Sequence, residues 1–558
     1  MKKMELQFSK LLSYSVVFPN GHDSIEELLM SVPSNSAIEF ISYLLARKVN
    51  QLIDEHDFKI WAPWLMHTRN DVKNAVGHYA QKYNLVGYSL IDEYSMLLLI
   101  SRLLSCYNGR NNEMETEDLS NLFMAYMMCC DERISLNSEV PTNSMNKEEF
   151  VRWFMPNCLK SNDIEAPRDY RLLLIKSYLL LIEFPKHNER FATYVETFCK
   201  EKDVDANRYL REIFITFLNM SSASKLTSVM EIADNLDVSR NFFDNLCIDP
   251  KGYEYDKDFI GIREFPILKT GQNRYNIMYM RMFLDKAYNG LLFDMKDALV
   301  KNGLLDSKNG YMDLKSFLGE EFSESFYFYM LMSRCFGKNY VNYTGGQLKE
   351  RLGEGFPDYY LRRGNQVFVF ECKDVLLSSR SKLCGNFEII KDAIFDKFVA
   401  NKKGHPKGVG QLCCVIKNKL SLILNDLDKD APKGTKYIYP IIVYFDNAFD
   451  IEGPSYLLNK EFKKQLDSVS NIEDYVIKDV VMVNIEQLMR LEDFFASEKL
   501  KLAMMIDAYL EYKTQSELNQ VFPFNKFLFQ EARKKGYDLR KTKWFDEVFM
   551  KLKAGDNE

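Results

Sequence analysis

The sequence predicts an α+β multidomain protein. A large, mostly helical N-terminal region should precede an α/β core, with a helical extension after it. Three observations carry this. Apolar residues recur at helical spacing through much of residues 1–258. Between 259 and 445, β-branched and aromatic runs alternate with turn signals and further helical stretches. From 456 onward the helical pattern returns.

In the first region, Ser36-Ala37-Ile38-Glu39 has the form of a capping box, with Ile41, Leu45 and Leu52 following at helical spacing. Further helices are expected over 91–106, 119–130, 169–183, 189–201 and 206–219, with a polar loop at 136–147. No catalytic constellation stands out in this half, which suits a regulatory or target-selecting role. At 259–300 the pattern becomes a β-hairpin, with a turn at Thr270-Gly271-Gln272-Asn273, and then a helix. This segment is expected to form a linker subdomain. A strong helix over 313–335 follows, with Leu318, Phe322, Phe326 and Met330 on one face, and 338–344 reads as a first strand.

The next stretch carries the chemistry. Pro357-Asp358 opens the run Tyr359-Tyr360-Leu361, Arg362-Arg363-Gly364-Asn365 turns, and Val367-Phe368-Val369-Phe370 leads into Glu371-Cys372-Lys373. Alternation along a strand puts Glu371 and Lys373 on the face shared by Val367 and Val369. Asp358, on the partner strand, brings a second carboxylate to the same end. Two carboxylates and a lysine there can hold a hard cation such as Mg²⁺, with Mn²⁺ as a substitute. The lysine can position or deprotonate an attacking water. The strong apolar run 436–445 is expected to be the last core strand. That bounds the core at 301–455 and leaves 456–558 as the helical extension.

Composition narrows the partners. The 73 Lys and Arg against 79 Asp and Glu leave a net charge of −6, so any nucleic-acid surface has to be local. From Arg380 to Lys419 there are nine basic residues against three acidic ones. Lys402, Lys403 and Lys407 lie there in a Gly- and Pro-containing loop, suited to a phosphate backbone. Residues 526–543 carry seven basic against two acidic residues and could be a second backbone contact or a solubilising tail. The longest apolar runs are short and interrupted by charge, so no membrane partner is expected. The N-terminus lacks the apolar core of a secretory leader. Eleven scattered cysteines without a Cys-x-x-Cys pair argue against an ordinary zinc site and for reduced thiols in a cytoplasmic protein.

Pro357, Asp358, Glu371 and Lys373 resemble the motif of the PD-(D/E)XK, or restriction endonuclease-like, nuclease superfamily. The resemblance implies a core of helix, three strands, helix and strand around a mixed sheet, and metal-dependent hydrolysis of phosphodiester bonds. Asp358, Glu371 and the Cys372 carbonyl would hold Mg²⁺, and Lys373 would serve the attacking water. The helix before the first strand often adds a glutamate in this superfamily. Glu321 and Glu324 both qualify, with Glu324 favoured. Gln411 resembles the polar helix residue that follows the acid-x-lysine, in a supporting role. The 259–300 segment looks like a hairpin and helix that precede the core in some multidomain members, and an independent linker fits equally. DNA is favoured over RNA by the resemblance alone. A helical half fused to such a core is similar in layout to bacterial restriction or anti-phage defence effectors, with a protein partner or trigger acting through the N-terminal region. The alternative is a nucleic-acid-binding or sensor protein whose nuclease-like core is structural and which acts with a partner. No G-x-x-x-x-G-K-[ST] loop is present, so any ATPase motor would belong to a partner.

Overall fold

A computed structural model describes the chain apart from residues 1–9, 22, 50–56, 84–87, 136–144, 223–225, 338, 468–474, 540–541 and 555–558. Most of the expected 136–147 loop, Lys338, Arg540 and Lys541 thus lie outside the described residues. The chain divides into two compact units, one of residues 1–137 and 167–311, the other of 138–166 and 312–558.

The first unit is mainly helical. Its helices include Ser34–Val49, Glu93–Ser105, Thr116–Ser135, Glu189–Lys202 and Ala206–Met220. Ser36 does not cap the first of these, because the helix already begins at Ser34, and the Ser36 hydroxyl donates to the Asn112 carbonyl at 2.7 Å. The hairpin Ile267–Lys269 and Arg274–Ile277 forms, and Val229–Glu231 adds a third antiparallel strand beside it. The 259–300 segment therefore belongs to this unit and is not a separate linker subdomain.

The second unit begins with a helix from the N-terminal half, α1 (Lys147–Glu165). A capping box between Asn146 and Glu149 starts it, and Pro156 lies inside it. Next come α2 (310–335), β1 (Val341–Thr344), α3 (Gly345–Leu352), β2 (Tyr359–Arg363) and β3 (Gln366–Lys373). Helices α4 (Phe387–Phe398) and α5 (Gly408–Asn418) lead to β4 (Lys436–Tyr444). Helix α6 (Pro454–Asp467) and two short strands follow, β5 (Tyr475–Ile477) and β6 (Val481–Asn484).

The sheet is mixed, in the order β5-β4-β3-β2-β1, with β6 also paired to β4. β1, β2 and β3 are antiparallel neighbours, while β3, β5 and β6 run parallel to β4. The sheet therefore continues past residue 455, and 456–558 is not a purely helical extension. Strands β5 and β6 are three and four residues long, and they close only against the long apolar β4.

Every residue from Val367 to Cys372 is buried, as expected of a strand covered on both faces. Val367 and Val369 pack with Ile390, Ile394, Val409 and Leu412 of α4 and α5, and with Met155 and Leu159 of α1. Each such aliphatic side chain contributes about 1.5–3 kcal/mol on burial. On the opposite side of β3, Phe370 meets Phe328 of α2, with ring centroids 6.2 Å apart.

Helix α2 departs from α geometry. Over Leu318–Phe328 it is wound as a π-helix. The wider winding shifts the buried face, so that Tyr327, Phe328, Leu331 and Met332 are fully covered, whereas Phe326 and Met330 are only partly so. Among the described residues no helix is long and apolar enough to cross a membrane.

Candidate active site

The turn between β2 and β3 fixes the site's register. Gly364 has φ 57°, a conformation open to glycine, and with Asn365 it closes a two-residue hairpin turn. Tyr359 then faces Phe370, so Asp358, one step further, falls opposite Glu371. The Asp358 Oδ2 accepts the Cys372 backbone N–H at 2.6 Å, which holds that carboxylate against the end of β3. Gly345, at the start of α3, donates its N–H to the Asp358 carbonyl at 2.7 Å. A Cβ on Gly345 would stand 3.1 Å from the Asp358 Cα and 2.9 Å from the Tyr329 hydroxyl, so glycine permits this approach.

Glu371 is completely buried. Its Oε2 accepts from Lys373 Nζ at 2.9 Å, and its Oε1 is buried without a hydrogen-bond partner among the described residues. Lys373 Nζ also donates to the Cys372 carbonyl at 3.1 Å and stands 3.7 Å from Asp358 Oδ2. The two carboxylates, the carbonyl and the ammonium are thus gathered around one point. Glu324 joins them from the π-wound part of α2. Glu321, its rival on that helix, is exposed.

The electrostatics follow from three carboxyl groups crowded around one lysine. Burial, and then the Asp358 charge, push the Glu324 carboxyl up to about 8. Glu371 is raised well above the usual carboxylate range, first by its burial and then by Asp358. Burial alone would lower the Lys373 ammonium, but Glu371 and Asp358 outweigh it and hold the group above its ordinary value. The two carboxyl groups therefore favour the charged form of Lys373.

The donor set suits a hard divalent cation. Among the described residues no three His, Cys, Asp or Glu side chains form a ready-made metal cage. Mg²⁺, however, is typically held by one or two carboxylates, with waters and substrate phosphates completing its shell. A buried carboxyl oxygen with no partner among the described residues, in a cluster of three carboxyl groups around one lysine, fits such an ion, whose charge would favour their ionised forms.

The remaining expected residues lie on α5 and on the loop before it. Gln411 Oε1 accepts the Gly408 N–H at 2.9 Å, which satisfies a backbone donor in the first turn of α5. Lys402, Lys403 and Lys407 are exposed on a tight loop between α4 and α5. Asn401 organises that loop by accepting the N–H groups of Lys403 and His405, each at 3.0 Å. Two further residues touch the site without a signal in the motif. Gly345 supports Asp358, and Asp374, next after Lys373, accepts from Lys315 and Ser323. Only the Gly345-Gly346 pair directly after a strand hinted at a close backbone approach.

Comparison with known proteins finds no matching family model, no matching curated protein and no matching solved structure.

Proposed function

We propose that this chain is a metal-dependent endonuclease that hydrolyses phosphodiester bonds, with DNA as its substrate and Mg²⁺ as its cofactor. One observation carries the reading: Asp358, Glu371 and Lys373 meet at one end of the sheet, with a buried Glu371 oxygen left without a hydrogen-bond partner among the described residues. The order of helix, three antiparallel strands with a short helix after the first, then helices and a parallel strand supports it. So does the presentation of three exposed lysines on a preformed loop.

The roles follow from the geometry. Asp358, Glu371 and the Cys372 carbonyl would hold Mg²⁺, with Glu324 beside Asp358. The chemistry Mg²⁺ supplies when bound is neutralisation and polarisation of the scissile phosphate. Lys373, kept charged by its neighbours, orients the attacking water and stabilises negative charge developing on the phosphate. A restriction or anti-phage defence role, with a partner or trigger acting through the first unit, is the setting this activity suggests.

The test is to incubate the purified protein with plasmid, linear duplex, single-stranded DNA and RNA, with and without Mg²⁺. Asp358→Ala, Glu371→Ala and Lys373→Ala should each lower cleavage about a thousandfold or more while remaining folded. Near-normal cleavage by the folded Asp358 or Glu371 variant would refute the assignment.

A further inference from the structure

We infer that Asp374 is a positioning residue of this site, fastening Glu324 to the strand that carries Glu371 and Lys373. The inference rests on the nuclease reading above. Asp374 directly follows Lys373, the last residue of β3, and its side chain turns to α2. Both of its oxygens are engaged. Oδ1 accepts from Lys315 Nζ at 2.6 Å, and Oδ2 accepts from Ser323 Oγ at 2.6 Å. Its side chain is only 6% exposed. An acid so placed, with its charge matched by Lys315, serves as an anchor and is not offered to a metal.

Both partners belong to α2. Ser323 is fully buried and immediately precedes Glu324. The π winding of Leu318–Phe328 spans these two residues. Long π segments are rare because α winding is preferred, so tertiary contacts have to sustain this one. Two hydrogen bonds to a carboxylate, one of them from an ammonium, are strong contacts of that kind. Without them, α2 is free to rewind toward α geometry, which rotates Glu324 away from Asp358. Asp374 thereby acts on the site through Glu324.

The test measures Mn²⁺ binding calorimetrically on the full-length, chelator-stripped protein. Glu371→Ala serves as the reference and should abolish binding. Glu324→Gln and Asp374→Ala should each weaken binding about tenfold to a hundredfold, the range for a supporting partner of a ligand. The double variant Glu324→Gln/Asp374→Ala should bind no more weakly than the weaker single variant, because both changes remove one contribution. A general structural defect would instead give additive losses. Ser323→Ala removes one of the two anchors and should shift affinity in the same direction, and it decides the matter if Asp374→Ala does not fold. Unchanged affinity in Asp374→Ala or, where that variant does not fold, in Ser323→Ala, or additive losses in the double variant, would overturn the positioning role. Normal Mn²⁺ binding by Glu371→Ala would instead bring down the metal-site reading, and this inference with it.

Discussion

Replacing Glu324 by glutamine should stabilise the protein at alkaline pH while weakening its function. In the folded chain, burial and then the charge of Asp358 push this carboxyl up to about 8, against an ordinary 4.5. Between those two values the folded protein binds a proton that the unfolded chain has released. Stability from this group is therefore fully present below about pH 4.5 and declines as pH rises toward 8. Each pKa unit corresponds to about 1.4 kcal/mol, and partial exposure of the side chain reduces the total to about 2–3 kcal/mol at pH 8. Glutamine keeps the shape and cannot ionise. Glu324→Gln should thus match the wild type near pH 5 and exceed it by about 2–3 kcal/mol near pH 8. Urea melts in excess chelator at several pH values read this directly. Glu371 is raised too, by burial first and in part by the Glu324 charge, so the relief of Glu371 in the variant adds to the difference in the same direction. Stability profiles that stay parallel from pH 5 to 8 would refute the placement of Glu324 beside Asp358. The metal reverses the sign, since it favours the ionised carboxyl. Wild-type Mn²⁺ affinity should rise with pH, by up to about tenfold per unit below 8, and the variant should show a flatter profile.

Cleavage should require Mg²⁺ or Mn²⁺ and be suppressed by Ca²⁺, whose looser coordination suits the oxygen donors but not the reaction; robust hydrolysis in excess chelator would exclude the metal mechanism. Replacing Lys402, Lys403 and Lys407 together by alanine should weaken binding alike across sequences and flatten the salt dependence by about one unit of log–log slope per lost phosphate contact. An unchanged slope in that triple variant would place the nucleic-acid groove elsewhere. Leu159→Ala should cost about 2–5 kcal/mol, and a chain shortened to begin at residue 258 should fail to fold cooperatively, because α1 packs into the core of the second unit. Cooperative unfolding of the shortened chain would show that α1 is dispensable.

Local chemistry made the centre of the site legible. Gly-Asn between two β-rich runs dictates a tight hairpin, and a tight hairpin sets the register. Register and alternation together put Asp358 across from Glu371 and turn Lys373 to the same face. Most first-unit helices were likewise readable, because their apolar period is local information. What the sequence left open depended on partners distant along the chain. Helix α1 carries Pro156, which reads locally as a helix breaker, and its place in the second unit rests on contacts of Met155 and Leu159 with strands and helices two hundred residues away. Strands β5 and β6 are too short to show a period and exist through pairing with β4. Sequence favoured Glu324 over Glu321 without separating them, whereas the packing of α2 leaves Glu321 exposed and sets Glu324 beside Asp358. Gln411 fitted the motif by spacing, yet its oxygen is taken by the first turn of its own helix. Side-chain identity and period are properties of a segment, whereas which carboxylates are brought together, and so how far their charges shift one another, is decided by packing.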